Sequence, residues 1–255
     1  MNGLRIEQLS IWDEALNVRE NRQDAVVIQF PHEQIQAFRP ELFTVGELSK
    51  TTANELVVRH HYLHRKPHNS YSFGLFGENG DVLGACVFGT PASRHLQQSV
   101  CPSNPDCVIE LNRLWVHDSC PRNSESFFVS QALRALPALL VVSYADTAWG
   151  HVGTIYRALN FRYAGWTDMD RKTPRYDYIA PDGLHTRESF RGGQAKWTHR
   201  VRRKPKAKYW RATGDRRERK ALDRLCAWPR LDWDRFPVPT EHVHLRLDRI
   251  GEDMP

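Results

Sequence analysis

The stretch Cys107-Val108-Ile109-Glu110-Leu111-Asn112-Arg113-Leu114-Trp115-Val116, followed shortly by Pro121-Arg122-Asn123-Ser124, decides the fold class. Apolar and polar residues alternate along its first part, the period-two pattern of a strand. Pro121 to Ser124 then turns the chain, and Phe127, Phe128, Leu133 and Leu136 give an apolar helix face that Pro137 ends. Leu139 to Tyr144 is strongly apolar and reads as a central, buried strand. Strand, helix and buried strand in succession place the chain in the α/β class.

Outward from this stretch the pattern continues. Upstream, Leu42 to Leu48 alternates weakly as a strand, and Thr52-Ala53-Asn54-Glu55 has the form of a capping box opening a helix to about Tyr62. Ser70–Phe76 and Val82–Phe88 are two β-prone runs joined through an Asn79-Gly80 corner, a hairpin. Downstream come a short helix over Gly150–Leu159 and a strand over Phe161–Trp166. Tyr176–Ile179 and Leu184–Glu188 read as a closing hairpin across Pro181-Asp182-Gly183. A charged helix is predicted near Asp215–Cys226. The sum is one α/β domain over residues 42–188, with a mixed, mostly antiparallel sheet and helices on both faces. An N-terminal extension (1–41) precedes it. A basic C-terminal extension (189–255), packed on the domain, follows.

Charge is uneven along the chain. Between Arg171 and Arg224 there are 18 Lys and Arg against 6 Asp and Glu, whereas the preceding 170 residues are net acidic. Such a basic run, with Trp197, Tyr209, Trp210, Trp228 and Trp233 within or just after it, fits a polyanion, because lysine and arginine near phosphates release condensed counterions. Arg202, Arg203, Lys204, Lys206, Lys208 and Arg211 are its candidate DNA contacts. No run approaches about 18 uncharged apolar residues, so no membrane partner is expected. The N-terminus lacks the apolar core of a signal peptide, and the protein is expected in the cytoplasm. Five cysteines without a C-x-x-C pair point to free thiols in a reducing compartment.

Three places hold candidate chemistry. The turn at Arg122, Asn123, Ser124 and Ser126 opens a helix whose first amides form an anion site, with Asn123 or Ser124 as the cap. Asp146 follows the apolar strand, where ligands collect in open α/β sheets; it is a base, a metal ligand or a cap for the next turn. The run Arg59-His60-His61-Tyr62-Leu63-His64 carries histidines at i,i+3 and i,i+4 spacing, which on a helix suits a metal pair or a polar helix end.

Gly153-Thr154-Ile155-Tyr156-Arg157-Ala158-Leu159-Asn160-Phe161 resembles the last conserved helix and strand of the Gcn5-related N-acetyltransferase (GNAT) superfamily. That resemblance implies a GNAT-like fold, with Tyr156 protonating a leaving group. The superfamily's glycine-containing pyrophosphate loop is replaced here by Arg122-Asn123-Ser124-Glu125-Ser126, whose Cβ atoms and carboxylate oppose close approach of a pyrophosphate. A narrower resemblance rests on Glu110–Val116, Arg122–Phe128, Ser143–Asp146, Gly150–Tyr156 and His61-Tyr62-x-His64-Arg65 taken in order. Over roughly residues 42 to 240 these are similar to the Mom family, phage proteins that convert adenine in DNA to N6-carbamoylmethyladenine and so protect it from restriction. The resemblance implies double-stranded DNA as partner and Asp146, Tyr156, Arg113 and Ser126 as active residues. It also implies an iron centre with His61, Tyr62 and Asp146 as ligands. As group donor the resemblance leaves acyl-CoA or another activated acyl donor as the expectation. A conventional acyl-CoA-dependent N-acetyltransferase acting on a small amine or protein, and a non-catalytic DNA-binding protein, are the alternatives.

Overall fold

The computed structural model describes residues 38–147, 150–168, 172–179, 181 and 197–232. The strands are β1 (Thr44–Glu47), β2 (Tyr71–Phe76), β3 (Val82–Gly89), β4 (Val108–Val116), β5 (Leu140–Asp146), β6 (Arg162–Trp166), β7 (Tyr176–Ile179), β8 (His199–Arg202) and β9 (Lys206–Ala212). The helices are α1 (Lys50–His60), α2 (Arg94–Val100), α3 (Ser124–Ala135), α4 (Thr154–Ala158) and α5 (Arg216–Leu225). Seven strands form one sheet in the order β1-β2-β3-β4-β5-β9-β6, and β7 and β8 form a separate two-stranded ribbon. Within the sheet every pair is antiparallel except β4 with β5, which α3 connects as a parallel crossover.

The fold is therefore mixed α/β with a mostly antiparallel sheet. Its two faces are covered by different helices. Phe73, Leu75, Phe88, Leu111 and Val141 pack under α3 through Phe128 and Leu133. On the opposite face Val108, Leu140, Val142 and Trp210 pack with Leu222 of α5 and Val100 of α2, while Ala53 and Val57 of α1 lie on Ala85 and Val87. Trp210 and Tyr209 are fully buried, and the Trp210 indole N–H finds the Pro229 carbonyl at 3.1 Å, which lets a polar atom enter the core without loss.

Local sequence explains most of the boundaries. Gly80 at φ +81 makes the corner of the β2–β3 hairpin, a conformation that costs glycine little. Asp215 and Glu218 form a reciprocal capping box at the start of α5. The start of α1 is different from the expected Thr52 box: Ser49 is the cap, its hydroxyl accepting from the Thr52 amide at 3.1 Å. Neither expected cap of α3 acts as one. Asn123 holds the cap position in the left-handed region (φ +79) without a side-chain bond, and Ser124 lies inside the first turn. All five cysteines are free thiols. No helix among the described residues is long and apolar enough to cross a membrane.

Two elements differ from the sequence reading for non-local reasons. Residues 206–212, placed in a basic extension, form β9 in the interior of the sheet between β5 and β6. Their alternation of lysine with Ala207 and Tyr209 is strand-like, but the lysines make it read as a solvated arm. Strand β7 pairs with β8, Tyr176 opposite Arg202 and Ile179 opposite His199. Its expected partner, Leu184–Glu188, lies outside the described residues.

Candidate functional site

β4 and β5 pair only at Val108–Leu140, Ile109–Val141 and Glu110–Val142. Beyond Glu110 the first strand continues along β3 and the second along β9, so their paired backbones part company. Side chains close the gap. The Ser143 hydroxyl donates to the Leu111 carbonyl (3.2 Å), the Ser143 and Tyr156 hydroxyls share a bond of 2.8 Å, and the Tyr156 hydroxyl donates to the Tyr144 carbonyl at 3.4 Å. Tyr156 stacks on Tyr209 at 4.7 Å. Burial pushes its phenol well above the ordinary tyrosine value, with the Ser143 bond opposing, so the proton is held firmly.

A bulge decides which side chains meet beside this gap. Val87 pairs with Arg113 and Phe88 with Leu111, leaving Asn112 as an extra residue. Side chains three apart on a regular strand face opposite ways; the extra residue brings Glu110 and Arg113 to one face. Tyr144 and Asp146 alternate onto the same face from β5, and Lys206 and Lys208 stand opposite them on β9. The Lys206 ammonium lies 2.7 Å from the buried Asp146 carboxylate. From the end of α1, His61 stacks on Tyr62 at 4.1 Å, and the Tyr62 ring is 5.4 Å from that of His151.

The protonation states follow from this enclosure. Burial lifts the Glu110 carboxyl to about 7, although Arg113 and Lys206 pull against it. Burial, reinforced by Arg113 and His151, drives His61 down to about 3, so its imidazole is neutral. Its Nδ1 accepts from the Leu63 amide at 3.1 Å. Tyr62 is pushed up to about 12 by burial and by the charge on Asp146. Burial also lowers His151, with Asp146 opposing. The cluster thus holds a neutral imidazole, a carboxyl that titrates near neutrality, an ion-paired carboxylate and two cations. That is a set able to accept a proton and to stabilise developing negative charge.

The structure unites some expected site residues and separates others. Asp146, Arg113, His61 and Tyr62 converge on the face just described. Tyr156 sits in the gap at their edge. Arg122, Asn123, Ser124 and Ser126 belong to the start of α3, which packs on the other face, and their hydroxyls are used locally. Ser124 donates to Pro121 (2.7 Å) and Ser126 to the Asn123 carbonyl (2.9 Å), while Glu125 adds negative charge to the first turn. The expected histidine pairs on a helix do not form. α1 ends at His60, His60 stacks on Trp115 at 4.4 Å, and His64 lies beyond the helix at φ +46 with its Nδ1 3.0 Å from the Val58 carbonyl.

The expected iron ligands, His61, Tyr62 and Asp146, all belong to the face of Glu110 and Arg113. Among the described residues no three His, Cys, Asp or Glu side chains stand together as a metal set, and the carboxylate of Asp146 is matched to an ammonium. The expected ligand set includes Tyr62 beside His61 and Asp146, and Asp146 would have to exchange Lys206 for a metal ion.

The six basic candidates also divide. Lys206 belongs to the acid–base cluster, Lys208 lies over the Trp228 ring at 5.2 Å, and Arg211 donates to the Leu159 carbonyl. Arg203 is bound to Asp177 at 2.6 Å. Arg202 and Lys204 are exposed. Glu110 and His151 were not singled out from sequence. The available signal for Glu110 was an acid set between Ile109 and Leu111 on a strand expected to be part of the sheet, where ionisable groups are rarely enclosed without purpose.

The sheet and this cluster define a mixed α/β protein with an enclosed acid–base site where two parallel strands diverge. The chain belongs to the Mom protein family, matching it over residues 42–223. It is 32% identical over 139 residues to methylcarbamoylase mom of Escherichia phage Mu, covering 52% of this chain. The match spans 57% of that relative's length. Among solved structures the chain is similar to a GNAT superfamily phosphinothricin acetyltransferase from Sinorhizobium meliloti, at 11% identity and a TM-score of 0.38, covering 68% of this chain and 89% of that one. It is also similar to the ribosomal-protein-S18-alanine N-acetyltransferase of Escherichia coli, at 13% identity and a TM-score of 0.38, covering 68% and 95%.

Proposed function

We propose that this chain is a phage-type DNA-modifying transferase that places a carbamoylmethyl group on the N6 amine of adenine in double-stranded DNA. Family membership and the methylcarbamoylase relative support the reaction class. The observation that carries it for this chain is the gathering on one face of Glu110 and Arg113 with the Asp146–Lys206 ion pair. An adenine amine is a poor nucleophile, and its attack needs a nearby acceptor for the departing proton.

In this reading the adenine leaves the duplex stack, at a cost of roughly a few kcal/mol, and enters beside Asp146. Asp146, fixed by Lys206, orients the amine through its carboxylate, and Glu110 takes the proton as the N6–carbon bond forms. Arg113 offsets charge on the donor. The bond from that carbon to the leaving group breaks, and Tyr156 supplies the leaving group's proton. Modified DNA would resist restriction in the cytoplasm of the host cell. The donor must carry its leaving group on the methylene carbon that becomes bonded to N6, because attack at an acyl carbonyl would leave an amide there; the filled, carboxylate-bearing turn at Arg122–Ser126 favours a donor other than acyl-CoA.

The test is mass spectrometry of nucleosides from plasmid DNA co-expressed with the protein. A deoxyadenosine species heavier by about 57 Da, missing with Asp146→Asn at equal DNA affinity, is the expected result for a flipped-base modification. Unmodified nucleosides together with acetyl-CoA-dependent turnover of a small amine would assign the chain to ordinary N-acetyltransfer.

A further inference from the structure

The β7–β8 ribbon stands apart from the sheet, and its two faces differ in kind. Tyr176 pairs with Arg202 and Tyr178 with Arg200, so these four side chains share one face. The Arg200 guanidinium lies 4.3 Å over the Tyr176 ring, and Trp197 meets Tyr178 edge-on at 5.3 Å. On the other face Asp177 is neutralised by Arg203. Every residue of β8 is exposed, and Trp197 and Tyr178 keep 53% and 38% of their surface in solvent. Two arginines and three rings on an open face contribute nothing to the core. Guanidinium beside exposed ring is the chemistry that meets phosphate beside base, cation to backbone and ring to unstacked nucleobase. Arg200 and Arg202 are about 6.6 Å apart along an extended strand, close to the separation of neighbouring phosphates.

Building on the DNA reading above, we propose that this ribbon face is a docking surface for a DNA strand opened at its target. Arg200 and Arg202 hold adjacent phosphates, and Tyr178 and Trp197 stack on a base that has left the helix. The bound partner is DNA, and the contact is to unstacked nucleotides, distinct from the acid–base cluster that would receive the adenine.

Fluorescence anisotropy of a fully paired duplex, and of the same duplex carrying an A·A mismatch, tests this across a salt series with the full chain. Arg200→Ala/Arg202→Ala should weaken both duplexes and reduce the slope of log K against log salt by about 2, near 0.9 per lost phosphate contact. Arg200→Lys/Arg202→Lys should keep most of the slope. Tyr178→Ala/Trp197→Ala should cost at least about tenfold on the mismatched duplex, more than on the paired one, with the slope unchanged. An unchanged slope in the arginine-to-alanine variant, or equal weakening of both duplexes in the aromatic variant, overturns the proposal. All variants lie on an exposed ribbon, and a thermal midpoint equal to the parent's excludes unfolding as the cause. If the parent chain modifies DNA while the ribbon variants bind as it does, only the ribbon assignment falls. If the parent chain has no salt-dependent affinity for DNA, the functional reading falls and takes the ribbon with it.

Discussion

Glu110→Gln removes one titratable carboxyl while keeping its shape. In the folded chain burial holds this carboxyl at about 7, against an ordinary value of 4.5. Between those values the native state binds more protons than the unfolded chain. The group's contribution is therefore fully present below about pH 4.5 and lost as pH rises through about 7. At about 1.36 kcal/mol per unit, the wild type gives up on the order of 3 kcal/mol across this window that the variant does not. His61 works in the opposite sense: its folded value is about 3 against 6.5, so stability falls as pH drops below 6.5. Both proteins carry that contribution, and their difference isolates Glu110. Urea unfolding of both, from about pH 4.5 to 8, should show the variant gaining roughly 3 kcal/mol relative to wild type. A stability difference that stays constant across the range would refute the argument that Glu110 is enclosed and protonated near neutrality. Activity gives a second view. A proton acceptor works only when ionised, so wild-type modification should rise about tenfold per pH unit below about 7 and then level. The variant should be slower by roughly 10²–10⁴, without that step.

Gly153→Ala is expected to destabilise by about 2–5 kcal/mol, because the position has φ +81 and a Cβ there would fall on the Tyr209 hydroxyl. An unchanged thermal midpoint would show that the turn after β5 relaxes freely. Tyr156→Phe should cost about 1–2 kcal/mol through its lost hydroxyl bonds in the gap between β4 and β5. It should also slow modification while leaving DNA affinity as it is; full turnover by this variant would remove Tyr156 as the source of the leaving group's proton.

The arrangement assigns different work to similar groups through environment alone. Two carboxyls lie on one face of the sheet. Asp146 is matched at 2.7 Å by Lys206, while Glu110 is enclosed where β4 leaves β5 and titrates near neutrality. A carboxylate held by an ammonium beside a carboxyl that burial raises lets one site serve both orientation and proton transfer. The same enclosure keeps His61 and Tyr62 uncharged, and Lys206 on Asp146 fixes the carboxylate beside them.

What the sequence by itself determined is the content of each local segment. The alternation of Val108–Val116, the apolar face of Phe128 and Leu133, the apolar run of Leu140–Ala145, the Asn79-Gly80 corner and the Asp215/Glu218 cap all depend on neighbours a few residues away. Periodicity and cap chemistry report such neighbours directly. Asp146 and His61 stood out locally as polar residues at a strand end and a helix end, whereas Arg113 was reached only through the family resemblance. Tertiary structure alone decided who meets whom. Strand pairing joins residues far apart in the chain, so nothing near Lys206 announces that β9 will enter beside β5 and set its ammonium against Asp146. Side chains alternate with a period of two, so the single extra residue at Asn112 moves Arg113 to the face of Glu110. A run of basic residues looks continuous in one dimension. Folding distributes it between the core sheet, where Lys206, Lys208 and Arg211 find internal partners, and the ribbon, where Arg200 and Arg202 remain in solvent.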